Sequence, residues 1–143
     1  MISIQLPKLF EWVDSLKIVL NTFHEYLKYI LQQILDSYQV LVKLDDEPGD
    51  LEIIRKESAK IKGLFYVIEN KLAESELQSD NIVTLHKLSS YYITNYDFSR
   101  EIEMLSLTYS NDLDRLKSIR LTIIDSLNDK KLIEKIETIK NNF

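Results

Sequence analysis

The chain has 143 residues, 18 Lys and Arg against 23 Asp and Glu, no Cys, and only two Gly and two Pro. An apolar fraction of 45% is too high for a disordered chain, and so few Gly and Pro cannot supply the tight turns of an all-β protein. Without Cys there are no thiolate metal sites, thiol nucleophiles or disulfides. The expected class is all-α, one domain over residues 1–143, built as an elongated up-and-down bundle of four to five helices.

The first predicted helix runs from about Lys8 to Leu44, with Pro7 suited to its start. Its apolar residues step by four and three: Leu9, Val13, Leu16, Leu20, Phe23, Leu27, Ile30, Ile34, then Ser37 and Leu41. That is the repeat of a bundle or coiled-coil seam, with one polar position. Trp12, Val19, Tyr26 and Val40 form a second stripe beside it, so the helix is expected to touch neighbours on two sides. These four residues are the first candidates for partner binding, to a second copy or to a helix of another protein.

Asp45 to Asp50 holds the clearest break, with Pro48 and Gly49 ending one helix and Asp50 expected to cap the next. A second seam follows at Leu51, Ile54, Ser58, Ile61, Phe65, Ile68 and Leu72, with Gly63 off it, where a neighbouring helix could approach closely. Ala73 to Gln78 reads as a polar connection, and Ser79 or Asp80 as the next cap. A shorter helix carries Ile82, Leu85, Leu88 and Tyr92, and Asn95 to Asp97 form a turn. From Phe98 to Leu127 the helical period continues through Ser110-Asn111-Asp112, which reads as a polar turn of one continuous helix. After Asn128-Asp129 a final amphipathic segment carries Leu132, Ile136 and Ile139, and the end at Asn141-Asn142-Phe143 is expected to fray.

Catalytic patterns fail one by one. His24-Glu25-Tyr26-Leu27-Lys28 places Lys where the zinc-protease motif needs its second His. A di-iron bundle needs Glu three residues before a His, whereas Asn21 precedes His24 and Val83 precedes His86. Asn111 to Asp114 lacks the Gly and distal Glu of a calcium loop. With Gly only at 49 and 63, no phosphate-cradling loop is possible. The reading is therefore no enzyme, no metal, no cofactor and no small-molecule substrate.

Residues 1–71 carry 9 basic and 11 acidic side chains and residues 72–143 carry 9 and 12, so neither half forms the basic stripe that neutralises phosphates. Nucleic acid is disfavoured as a partner; the cations that would serve it are Arg115, Lys117 and Arg120. Met1 to Glu11 lack the pattern of a signal peptide. The most apolar stretch, Leu16 to Leu44, is interrupted by Lys17, His24, Glu25, Lys28 and Asp36, so no membrane span is expected. With neither Cys nor an Asn-x-Ser/Thr sequon, the expected home is the cytoplasm.

Eight Tyr are present, and Tyr91, Tyr92 and Tyr96 make a dense patch near a turn. Tyr suits interfaces because an apolar body carries a hydrogen-bonding tip. Tyr91 and Tyr96 are the second candidate partner-binding pair, with core packing as their alternative role.

Leu64-x-x-Val67-Ile68-x-x-x-Leu72, a link to Leu77, Ile82-x-x-Leu85-x-x-Leu88 and Tyr96-x-x-Ser99-x-x-Ile102 together resemble a known helical domain. That domain is shared by the C-terminus of the COPII outer-coat scaffold subunit and the steroid receptor RNA activator protein. The resemblance covers about 60 residues, from Leu64 to Ile124. Ser99 stands where the family usually has Ala, and Leu116-Lys117-Ser118-Ile119-Arg120 lacks the Trp and Gly of its last helix. It implies vesicle-coat or trafficking scaffolding, or on its other side a nucleic-acid-associated cofactor protein. Leu85 through Ile136 also resembles the smallest coiled-coil subunit of dynactin, which implies a cytoskeletal complex subunit.

Overall fold

The computed structural model describes the backbone of residues 2–75 and 79–143; the side chains of residues 2–14 and of Leu16 lie outside the described set. Trp12, Leu9, Val13, Leu16 and Leu77 are therefore known here by sequence position alone. Among the described residues six α-helices follow one another: α1 (Ile2–Lys43), α2 (Asp50–Ala73), α3 (Asp80–Asn95), α4 (Ser99–Thr108), α5 (Leu113–Asn128) and α6 (Leu132–Asn142). No strand occurs among the described residues, so the fold is an all-α bundle.

The six helices trace four legs. α3 lies antiparallel to α2, because Phe65 stacks on Tyr92 with ring centroids 4.7 Å apart while Ser90 Oγ donates to Glu69 Oε1 at 3.2 Å. α4 continues the α3 leg along α2 after a three-residue break. α5 and α6 make the fourth leg, antiparallel to α1: Arg120 Nη1 donates to the Leu41 carbonyl at 3.1 Å, Asn128 Nδ2 to Tyr38 Oη at 3.0 Å, and Lys140 Nζ to Gln32 Oε1 at 2.8 Å. The core fills the space between, from Leu27, Leu31, Ile34 and Leu41 on α1 to Ile54, Ile61, Phe65, Ile68, Leu85, Ile123, Leu127 and Ile136. Both predicted seams supply it. Ser37, the polar position in the first seam, is buried, and its Oγ has no hydrogen-bond partner.

Four expectations change. α1 begins at Ile2, so Pro7 lies inside the helix rather than at its start. Asp50 is the first helical residue of α2, not its cap: its Oδ2 accepts from the Glu47 N–H at 2.9 Å, tightening the preceding turn. Residues 98–127 are two helices, because Asp112 caps α5 by accepting from the Arg115 N–H at 3.1 Å while its own N–H donates to the Tyr109 carbonyl at 2.9 Å. The C-terminal end is held, not frayed: the Phe143 ring stacks on His24 with centroids 5.0 Å apart. Ser79 is the cap of α3, accepting from the Ile82 N–H at 3.3 Å.

Gly63 is exposed on α2 with nothing within 4 Å of where a Cβ would sit, so it admits no neighbouring helix. Gly63→Ala should stabilise the fold by about 0.5–1 kcal/mol, through reduced backbone entropy in the unfolded chain, as read by urea unfolding.

The loop between α1 and α2 is pinned from α5. Asp46 has a left-handed backbone, φ 61°, and its carboxylate takes Arg120 Nε at 2.6 Å and Nη2 at 3.1 Å. Arg120 is 8% exposed, and a bidentate pair with little access to water leaves a costly orphan when one partner is removed. Arg120→Ala should cost about 3 kcal/mol in the same measurement, whereas Arg115→Ala, at an exposed pair, should cost at most about 1 kcal/mol.

Candidate interaction surface

α1 has 42 residues and the next longest helix, α2, has 24. α6 reaches back along α1 to His24, on which the Phe143 ring stacks. From there toward the N-terminus Ser15, Lys17, Ile18, Val19, Asn21 and Thr22 are exposed, while Leu20 and Phe23 are half-buried. Ile18 is 65% exposed, Val19 62%, Tyr29 62%, Tyr26 41% and Val40 37%. At ~100° per residue these five share one face of the helix, opposite Leu27 and Leu31. Of the predicted stripe, Val19, Tyr26 and Val40 thus lie on one side of α1 and are exposed, Val19 most of all. Ile18 and Tyr29 widen it; sequence reasoning passed over them because they fall outside the period of seven.

A second apolar area lies on the opposite end of the bundle. An open groove of about 390 Å³ between α4 and α5 is lined by Met104, Leu105, Tyr109 and Ile119 among others. Met104 is 51% and Leu107 77% exposed. The missed signal was the helix break at residues 109–112, which creates the groove.

Tyr91 and Tyr96 are half-buried and come together, but on each other and on Asp129 rather than on the α1 face. Each hydroxyl donates to Asp129 Oδ2 at 2.5 Å, and the two rings meet edge to face, centroids 6.3 Å apart. Lys130 Nζ sits 4.2 Å above the Tyr91 ring. This clasp holds the junction of α5 and α6, where Lys130 and Lys131 both take left-handed backbone, φ 51° and 58°. Side chains with a Cβ disfavour that conformation, so something outside the two lysines must hold them in it. The Asp129 carboxylate holds the pKa of both phenols above the ordinary tyrosine value, chiefly through the hydrogen bonds they donate to it, and those same bonds hold its own pKa below the ordinary carboxylate value. Tyr92 is buried, and that burial raises its pKa.

Other polar groups on the bundle also serve the fold. Asp97 is held down to about 2, first by the Ser99 hydroxyl and amide and then by Lys62. Lys62 Nζ also donates to the Tyr96 carbonyl at 3.2 Å, bracing a small cleft of about 180 Å³ between α2 and α4. Among the cations considered for nucleic acid, Arg120 is committed to Asp46 and Arg115 lies 3.7 Å over the Tyr109 ring while pairing with Asp112. Lys117 is exposed. Among the described residues no three His, Cys, Asp or Glu are grouped to hold a metal, and no helix is long and apolar enough to cross a membrane.

Comparison with known proteins finds no matching family model, no matching curated protein and no matching solved structure.

The clasp has a definite pH signature. A phenol whose folded-state pKa is raised stabilises the fold below its unfolded pKa of ~10, and that contribution is lost as pH rises through the folded pKa. Asp129, lowered, contributes above its unfolded value of ~3.9 and loses its contribution as pH falls further. Tyrosine titration by ultraviolet absorbance should therefore show Tyr91, Tyr92 and Tyr96 ionising late, and Asp129→Asn should bring Tyr91 and Tyr96, but not Tyr92, back toward ~10.

Proposed function

We propose that the chain is a non-catalytic helical interaction module, a small structural subunit that captures a helix of a protein partner on the outer face of α1. The observation that carries this reading is the row Ile18, Val19, Tyr26, Tyr29 and Val40, exposed along one side of a helix that outruns its own bundle. Large apolar side chains left exposed on one side of a helix are candidates for a contact site. The occupant is a helix because Val19, Tyr26 and Val40 recur at spacings of seven and fourteen along that face, with Ile18 and Tyr29 beside them. A surface with that period is complementary to another helix, not to an extended strand.

The engagement of Arg115 and Arg120 within the bundle supports a protein partner over nucleic acid. A scaffold role in the cytoplasm, in a vesicle coat or trafficking assembly, is the setting that the resemblance over Leu64 to Ile124 implies.

A photo-crosslinking side chain placed at position 19 tests the reading in cells, with position 84 on α3 as an exposed control. Position 19 should give a discrete protein adduct that falls several-fold in Ile18→Ala/Tyr26→Ala, while the melting midpoint holds, because exposed substitutions shift stability by only about 0.5 kcal/mol. Absence of an adduct from position 19, or equal yields from positions 19 and 84, would overturn it.

A further inference from the structure

α6 is entered through a bend that its own residues resist. Lys130 and Lys131 stand at φ 51°, ψ 29° and φ 58°, ψ 36°, two consecutive residues in left-handed backbone. In that conformation the Cβ crowds the following carbonyl oxygen, and Gly, with Asn and Asp well behind it, is the residue that takes it readily. Lys131 also directly precedes α6, and its side chain gives the first turn no capping hydrogen bond. Undocking α6 frees both lysines to return to ordinary backbone. The strain therefore favours release, and contacts elsewhere must outweigh it.

Those contacts form two sets, one on either side of the bend. Before it, Asp129 is gripped by the hydroxyls of Tyr91 and Tyr96 from α3, with Lys130 Nζ over the Tyr91 ring. After it, Leu132, Ile133, Ile136 and Ile139 are buried, Lys140 Nζ donates to Gln32 Oε1, and Phe143 lies on His24. The ion pairs among the described residues, Arg55–Glu52, Lys62–Asp97, Arg115–Asp112 and Arg120–Asp46, all lie outside α6. Apolar burial is not directional, so a helix held mainly by it can leave its groove and return to it. The clasp is directional. Its two donors converge on one charged oxygen and hold the bend in its docked geometry.

We infer that α6 is a strap that undocks as a unit about Lys130 and Lys131 and is latched by the Tyr91–Asp129–Tyr96 clasp. Its release uncovers the strip of α1 between His24 and Gln32, where Leu27 and Leu31 are fully buried in the closed form. Leu27 and Leu31 lie opposite the outer face of α1, so the strap controls a different apolar surface. The inference goes beyond the proposed function and does not depend on what the outer face binds.

Native-state hydrogen exchange on the full chain, read residue by residue at low denaturant concentrations, tests it. The amides of Ile136 and Ile139 on α6 should exchange through an opening that is easier, and less sensitive to denaturant, than the one that exposes Ile61 and Phe65 on α2. Tyr91→Phe/Tyr96→Phe keeps both rings but removes the two donors to Asp129. It should speed exchange in α6 roughly tenfold or more and leave α2 unchanged. Lys131→Gly relaxes the bend and should slow exchange in α6 several-fold, a change of opposite sign from a variant that folds at least as well. A wild type in which α6 and α2 exchange together would overturn the inference. So would variants that shift both helices equally, or an α6 that opens by itself but ignores both substitutions.

Discussion

The organising constraint is a mismatch of length. Four antiparallel legs can bury one another only over the span of the shortest pairing, and α1, at 42 residues, exceeds α2 by 18. At ~1.5 Å per residue that excess is roughly 27 Å of helix, and among the described residues toward the N-terminus Ile18 and Val19 are exposed. The rest of the architecture is fitted to the part of α1 that is covered. α2 returns along it, α3 with α4 returns along α2, and α5 with α6 closes the ring against residues 24–41.

Two of the four legs are broken, and the breaks are made in opposite ways. Between α3 and α4 the chain simply leaves the helix at Tyr96 and re-enters at Ser99, with Asp97 taking the Ser99 amide and hydroxyl. Between α5 and α6 two consecutive lysines adopt left-handed backbone, and the compensating contacts come from α3 through Asp129. The Arg120–Asp46 pair does the equivalent for the α1–α2 loop. At the α1–α2 loop and the α5–α6 junction a carboxylate is bound by residues distant in sequence, so tertiary contacts fix those two bends, whereas the α3–α4 break is closed locally between Asp97 and Ser99.

That division explains what could be read from the sequence. The all-α class, both seams, the breaks at residues 45–49 and 96–98, the Ser79 cap and the core positions Leu27, Ile34, Phe65, Leu85 and Ile136 follow from period and local capping chemistry. The break at 109–112 was hidden because Leu105, Tyr109, Leu113 and Leu116 keep helical phase across it; a single cap at Asp112 decides against continuity. Arg120 reads as an alternative to Ile119 on a seam, and its partner lies 74 residues away, beyond any local pattern. Tyr91 and Tyr96 show the same limit, since their chemistry depends on Asp129 more than 30 residues further on. For the α1 stripe the apolar spacing was visible, but whether a neighbour covers it depends on how long the other legs are.

Closing the ring with the last helix has a consequence for how the chain acquires its structure. During synthesis α1, α2 and α3 emerge first and can form their antiparallel contacts in order, each between sequence neighbours. The groove on α1 from His24 to Gln32 stays open until Leu132 to Phe143 leave the ribosome. For that interval Leu27 and Leu31, fully buried in the finished protein, are available to other chains being made nearby. A nascent chain therefore presents two apolar surfaces on the same helix, one transient and one permanent, and only the arrival of α6 tells them apart.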